Sequence, residues 1–100
     1  MSIMEINVIP IGTPTSSVSK YVTEAVKVLK KEERINYELT AMGTIIESES
    51  LDLLLNIAKK MHLAVFSEKT IRRVVTTIKI DDRRDKKSSI KEKVDSVFID

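Results

Sequence analysis

The hydrophobic period of this chain alternates between that of a strand and that of a helix, and the order of these changes restricts its fold more than any other feature. Two stretches have apolar residues at helical spacings of three and four, namely residues 18–31 and 51–65. Four shorter stretches are rich in β-branched residues or alternate apolar with polar residues, namely 3–11, 35–42, 44–47 and 71–80. The chain order is therefore β-α-β-β-α-β.

This order predicts an α+β fold. Two right-handed β-α-β units that interleave form one antiparallel sheet with both helices on the same face, which is the ferredoxin-like fold. Ser89 followed by Glu92 fits a capping box and predicts a short additional C-terminal helix. One hundred residues without a linker indicate a single domain over residues 1–100.

Helices on one face leave the other face of the sheet uncovered. Strand alternation places Glu5, Asn7, Ile9 and Ile11 of the first strand on that face, together with Val75 of the last. Because this surface mixes apolar residues with charges that can pair, we expect a second copy of the chain to cover it, as in a homo-oligomer.

Composition excludes several classes of function. The chain has no cysteine and one histidine, which excludes disulfides, thiolate nucleophiles and a multi-histidine metal site within one chain. Its net charge is +2 and its first and last strands contain no aromatic residue, so binding of nucleic acid on the sheet is not expected. No apolar run reaches the roughly 20 residues that cross a bilayer. No signal peptide is visible at the N-terminus, so we expect a cytoplasmic protein.

A hydroxyl-rich stretch between the first strand and the first helix is a candidate binding site. It follows Gly12 and contains Thr13, Thr15, Ser16, Ser17 and Ser19. Either Ser16 or Ser17 is expected to cap the helix, which leaves more hydroxyls than capping requires. The stretch lacks the glycines and the lysine of a phosphate-binding loop, so we expect it to bind a neutral, hydrogen-bonding small molecule.

Two other features favour a structural interpretation. Residues 81–87 carry seven consecutive charges, for which a solvated loop is more common than an anion site formed by Arg83 and Arg84. His62 lies on the apolar stripe of the second helix, where a lone histidine is more often a core or interface residue than a catalytic base. No catalytic residue and no metal site is predicted.

Several segments together resemble one family, namely residues 8–13, 17–19, 37–38, 42–47 and 73–86. The most specific of them contains residues 77–86, TIKIDDRRDK. Over nearly its whole length the chain is similar to the small thiamine-binding proteins related to YkoF, formerly known only as uncharacterised proteins. One departure is Ser48, where members usually have glycine.

The resemblance implies a ferredoxin-like subunit that dimerises through its sheet and assembles to a homotetramer. It also implies binding of thiamine (vitamin B1) or its hydroxymethylpyrimidine part without catalysis, so that thiamine is a ligand and no cofactor is needed. By motif position the family's hydroxyl ligands fall on Ser17 and Thr44, and Thr13 and Ser19 are further candidates. A carboxylate such as Glu47 at the rim would favour the cationic thiazolium ring.

Two other functions are compatible with the same strand order. A small hydrolase such as an acylphosphatase needs an arginine in the loop after the first strand, and residues 12–19 contain none. A regulatory or scaffold module that binds another metabolite at subunit interfaces stays open, because the identity of a ligand depends on the shape of its pocket.

Overall fold

Four strands form one antiparallel sheet in the order β2-β3-β1-β4 in the computed structural model, which describes residues 1–14, 16, 18–87 and 89–98. The elements in chain order are β1 (Ser2–Ile11), α1 (Ser19–Lys30), β2 (Asn36–Thr40), β3 (Gly43–Ser48), α2 (Leu51–Val65), β4 (Arg73–Asp82) and α3 (Ile90–Phe98). β1 pairs with β3 on one side and with β4 on the other, and β2 pairs with β3. The predicted ferredoxin-like α+β fold is confirmed.

The hydrophobic core lies between one face of the sheet and the two long helices. Met4, Ile6 and Val8 alternate along β1 and point into the core, each at most 7% exposed. Helical spacing places the inward residues of each helix on one side, and the buried ones are Tyr21, Ala25, Val26 and Leu29 of α1 and Leu53, Leu54, Ile57, Ala58, Met61 and Val65 of α2. Burial of a large aliphatic side chain contributes about 1.5–3 kcal/mol, so this layer holds both helices against β1.

The two long helices begin differently. Ser50 caps α2, with its Oγ accepting the backbone N–H of Leu53 at 3.1 Å. The buried hydroxyl of Ser48 accepts the N–H of Ser50 and donates to the carbonyl of Arg34. At α1 the expectation of a serine cap is wrong, because Val18 occupies the cap position and makes no side-chain cap bond. The Val18 side chain packs against the core, so burial outweighs capping at this end.

The face of the sheet turned away from α1 and α2 carries the residues expected from strand alternation, and we call it the open face. The first turn of α3 meets one end of it, at Glu47 and Asp81. The register places Glu5 between Ile45 and Lys79, and Ile9 beside Val75. Ile9 is 47% exposed and Val75 is 42% exposed. The open face therefore presents apolar area among charged groups, as predicted.

On the opposite face, β4 is only partly covered by the helices. Val74 and Thr76 are half-buried, whereas Ile78 and Ile80 are 42% and 37% exposed. Because β4 is the outermost strand, no further strand among the described residues lies beside its second half to cover these two side chains.

α3 is attached to the sheet through its first turn. Ile90 is buried and donates its backbone N–H to Glu47 Oε2, and Lys93 Nζ lies 2.6 Å from Asp81 Oδ2. The other apolar residues of this helix, Val94, Val97 and Phe98, are exposed, and Phe98 is 80% exposed. No helix within the described part of the chain has the length and apolar character needed to cross a membrane.

Candidate functional site

A cavity lies where β1 continues beyond the start of β3. The two strands pair from Ser2↔Ser48 to Ile6↔Thr44, and β3 begins at Gly43. Among the described residues, residues 7–11 of β1 therefore have a strand neighbour only on the β4 side, and backbone groups of alternate residues face the gap. α1 and the β2–β3 hairpin border this gap, and we call the resulting space the α1 cavity.

The α1 cavity is apolar and has the size of a small-molecule site. Its volume is about 420 Å³, within the range of known ligand pockets. Val18, Val22 and Ala25 line it from the side of α1, and Leu39 and Met42 line it from the hairpin. No residue of its described lining is charged. The cavity therefore suits an uncharged group with apolar or flat surfaces.

Thr44 is the most buried polar residue of the α1 cavity. It is 6% exposed and shares the helix face of the sheet with Ile6, its partner on β1. Its hydroxyl makes no hydrogen bond to any described residue. Every fully enclosed side-chain polar atom of the described chain has a partner, so this oxygen is open to the cavity. A ligand can supply the missing partner, which makes Thr44 the strongest candidate contact.

Asn7 adds a second polar group, which the sequence analysis missed. It belongs to the open face, yet it lines the α1 cavity because β3 ends beside it. A Cβ at Gly43 would lie 2.8 Å from Asn7 Oδ1, so glycine at this position leaves room for the amide. The amide makes no hydrogen bond within the described residues. In the sequence, a polar residue within the apolar first strand and a glycine at the hairpin are the two features that could have indicated this contact.

Of the predicted hydroxyl ligands, Thr13 and Ser19 do not line the α1 cavity. Ser17 lies outside the described residues. Thr13 is half-buried and has an interaction of its own. Ser19 is exposed and lines a neighbouring groove of about 640 Å³ between α1 and β2. Of the two positions that the motif marks, Thr44 alone is placed in the cavity by the structure.

Glu47 lies on the opposite side of the sheet from Thr44. The two residues are three positions apart on β3, so their side chains point to different faces. Glu47 is 7% exposed, accepts a hydrogen bond from Asn36 Nδ2 at 3.1 Å, and accepts the N–H of Ile90 at the start of α3. Its carboxylate therefore anchors α3 and does not lie at the rim of the α1 cavity.

The charged segment 81–87, which begins with the last two residues of β4, is neutralised largely by pairs within the segment. Arg83 donates from Nε and Nη2 to Asp85 at 2.6 and 2.9 Å, and Arg84 Nη2 donates to Asp82 at 2.9 Å. The Arg83 guanidinium lowers the pKa of Asp85 to about 2, and Arg84 lowers the pKa of Asp82. These exposed local pairs support the interpretation of a solvated loop.

His62 links α2 to β4. Its Nδ1 lies 2.6 Å from Thr76 Oγ1, and its ring meets Phe66 edge-on with centroids 5.5 Å apart. These contacts support the structural interpretation of this histidine.

Comparisons with known proteins agree with the fold and with the resemblance. A family model described as "Thiamine-binding protein" matches residues 4–98. The UPF0045 protein YqgV of Bacillus subtilis is 46% identical over 97% of this chain and 94% of its own length. The crystal structure of a hypothetical protein of Methanocaldococcus jannaschii superposes with a TM-score of 0.87 at 38% identity, covering 97% of this chain and 95% of that one. A Thermotoga maritima protein described as a candidate for thiamine biosynthesis or salvage has a TM-score of 0.77 at 19% identity, covering 96% of this chain and 97% of that one, which shows the same fold.

Proposed function

Since this chain belongs to the family of thiamine-binding proteins, we propose that its α1 cavity binds the aminopyrimidine part of thiamine. The observation that carries the proposal is Thr44, a buried hydroxyl that opens into an apolar cavity without a partner among the described residues. A few polar groups within an apolar lining orient a ligand and provide specificity. The proposed role is binding without catalysis.

The polar atoms of an aminopyrimidine match the groups of the cavity. Its ring nitrogens accept hydrogen bonds, and its amino group donates them. The Thr44 hydroxyl can donate and accept, and the Asn7 amide offers a donor and an acceptor side by side. The flat faces of the ring would lie against aliphatic side chains such as Val22 and Leu39. The name of the Thermotoga maritima protein, which shares the fold, supports the same choice of ligand.

The segment before α1 completes the proposed site. Val18 lines the α1 cavity, and Ser17 and Thr13 precede it closely in the chain. Both stay proposed ligand contacts on the strength of the family resemblance. Ser19 lines the neighbouring groove, so it would meet only a part of the ligand that extends past Val22.

The thiazolium ring of thiamine is placed outside the α1 cavity in this proposal. A cation enclosed by uncharged groups loses its hydration without a compensating charge, and the described lining contains no acidic residue. Glu47, which points to the other face of the sheet, does not supply one. Free hydroxymethylpyrimidine is therefore expected to bind at least as tightly as thiamine.

The proposed assembly is a homotetramer of dimers stacked through their open faces. Ile9, Ile11 and Val75 are each more than 40% exposed there, and burial of such apolar surface favours association. Lys79 lies beside Glu5 on the open face of each chain. Stacking of two open faces therefore allows a lysine of one copy to pair with a glutamate of the other. Sedimentation at micromolar concentration checks the assembly, and a purely monomeric species would overturn it.

Isothermal titration against hydroxymethylpyrimidine, thiamine and thiamine diphosphate tests the proposed function. We expect one molecule of hydroxymethylpyrimidine or thiamine per chain. Absence of binding by both would contradict the proposal and favour a regulatory or scaffold module for another metabolite. Binding of thiamine diphosphate alone would also contradict it, because the ligand would then be held by its phosphates.

A further inference from the structure

No strand of the described chain pairs with the outer edge of β4. β4 is an edge strand of ten residues that pairs with β1 at every position, so no bulge interrupts it. It also contains no proline. Edge strands usually carry a proline, a bulge or another device that prevents pairing with a second chain. β4 has neither a proline nor a bulge, and its protection is charge, since it carries Arg73, Lys79, Asp81 and Asp82. Its free backbone groups can therefore accept a strand whose charges match.

The sequence of β4 is complementary to itself in one antiparallel register. In a pair of strands related by a two-fold axis, residues directly opposite each other point to the same face. An axis at Thr77 puts Arg73 opposite Asp81 and Arg72 opposite Asp82, once on each side of the axis. Opposite charges that face each other across strands stabilise the pair. We propose that two copies of this chain join through β4 in this register and form one continuous sheet of eight strands.

Neighbouring registers lack this complementarity. An axis at Thr76 would put Arg73 opposite Lys79, and like charges directly opposite are destabilising. An axis at Ile78 would put both aspartates of the strand opposite valines. An axis that passes midway between two residues would put a residue of one face opposite a residue of the other face, which the pleat forbids. Charge therefore selects the register centred on Thr77.

The exposed apolar residues of β4 lie where this pairing would cover them. Ile78 and Ile80 are 42% and 37% exposed on the helix face. In the proposed register, each Ile78 lies opposite Thr76 of the second copy, and each Ile80 lies opposite Val74 of the second copy. A groove of about 340 Å³ between α2 and β4, which reaches Thr76 and Ile78, would then border the second copy. Because the contact uses the strand edge, it is compatible with stacking through the open face.

Engineered cysteines test the register, since the chain has no cysteine of its own. In a chain carrying Val74→Cys and Ile80→Cys, each new thiol would face its counterpart across the axis with Cα atoms about 4.5–5.5 Å apart, a distance that a disulfide spans. Within one chain the two positions are about 20 Å apart. Both point away from the open face, so stacked open faces cannot join them.

We expect mild oxidation to convert the double variant to a covalent dimer on a non-reducing gel. Each single variant should stay mainly monomeric, because Val74→Cys faces position 80 of the second copy and not position 74. Absence of the dimer from the double variant would overturn the proposal. Equal amounts of dimer from the single variants would do the same, since they would indicate random collision.

Charge exchange in the double-cysteine background tests why this register forms. Arg73→Asp places like charges opposite each other twice and should reduce the yield of covalent dimer about tenfold. Adding Asp81→Arg together with Lys93→Asp, which keeps opposite charges between positions 81 and 93, should restore the yield, because each exchanged pair across the axis again has opposite charges. Lys31→Asp, the same change of sign on an exposed residue at the end of α1, is the matched control. An unchanged yield in Arg73→Asp, or no recovery in the exchanged chain, would overturn the proposal.

Discussion

Replacement of Thr44 by valine removes one hydroxyl from the α1 cavity and keeps the shape of the side chain. In the free protein this hydroxyl has no hydrogen-bond partner among the described residues, so the substitution removes no hydrogen bond from the folded state. In the complex the ligand atom that faced the hydroxyl is left unpaired in a site from which water is excluded. The two states of the protein should therefore respond differently.

The cost is expected in binding alone. An unpaired polar group in a desolvated pocket costs about 1–3 kcal/mol, which raises the dissociation constant about ten- to a hundredfold. The melting temperature of the free protein should stay the same or rise, because a buried methyl group costs less than a buried hydroxyl without a partner. A purely structural role of Thr44 predicts the reverse pattern.

Isothermal titration with hydroxymethylpyrimidine measures the loss, and thermal melts with and without ligand separate it from stability. Thr77→Val is the matched control, since it makes the same exchange on an exposed residue of a strand outside the cavity. The reasoning is refuted if Thr44→Val keeps its affinity while the free protein melts earlier. It is also refuted if Thr77→Val weakens binding as much as Thr44→Val does.

Three further predictions concern residues around the cavity and the charged loop. Gly43→Ala puts a Cβ 2.8 Å from Asn7 Oδ1 and should weaken ligand binding by displacing the amide; in titrations, combining it with Asn7→Ala should cost no more than Asn7→Ala alone. Glu47→Gln should lower the melting temperature, because it weakens the hydrogen bond that anchors α3, and should leave ligand affinity unchanged. A loss of affinity would instead indicate that Glu47 contacts the ligand. Arg83→Ala should raise the pKa of Asp85 from about 2 towards its ordinary value, which an NMR titration measures directly. A carboxyl pKa that is lowered by folding adds stability above its unfolded value of 3.8, and this contribution disappears as the pH falls to about 2, so melts of Arg83→Ala should lack that part of the acid-induced loss.

The positions of the strands and helices could be predicted because each follows from the local spacing of apolar residues. The cap of α1 could not, because the gain from burying Val18 against the core depends on tertiary packing. The exposure of Ile78 and Ile80 has a similar cause, since strand alternation gives their direction and only the placement of α2 shows how little of β4 is covered.

The candidate site was predictable only in part, because sheet register decides which residues meet. The family resemblance led to Thr44, and the structure places it in the cavity. Strand alternation already implied that Glu47, three positions later, points to the other face, which argues against its expected place at the rim of the site. Asn7 could not be found from alternation alone, because its access to the cavity depends on the position at which β3 stops beside β1.

The difference in length between two neighbouring strands offers a simple means of changing ligand size. β1 has ten residues and β3 has six, and this difference leaves the space that the α1 cavity occupies. Two residues added to each arm of the β2–β3 hairpin would extend β3 by about 7 Å along β1 and fill that space with backbone. Deletions in the hairpin would lengthen the cavity instead. Insertions and deletions at exposed turns are tolerated well, so a relative with the same core could admit a larger or smaller molecule by altering the hairpin alone.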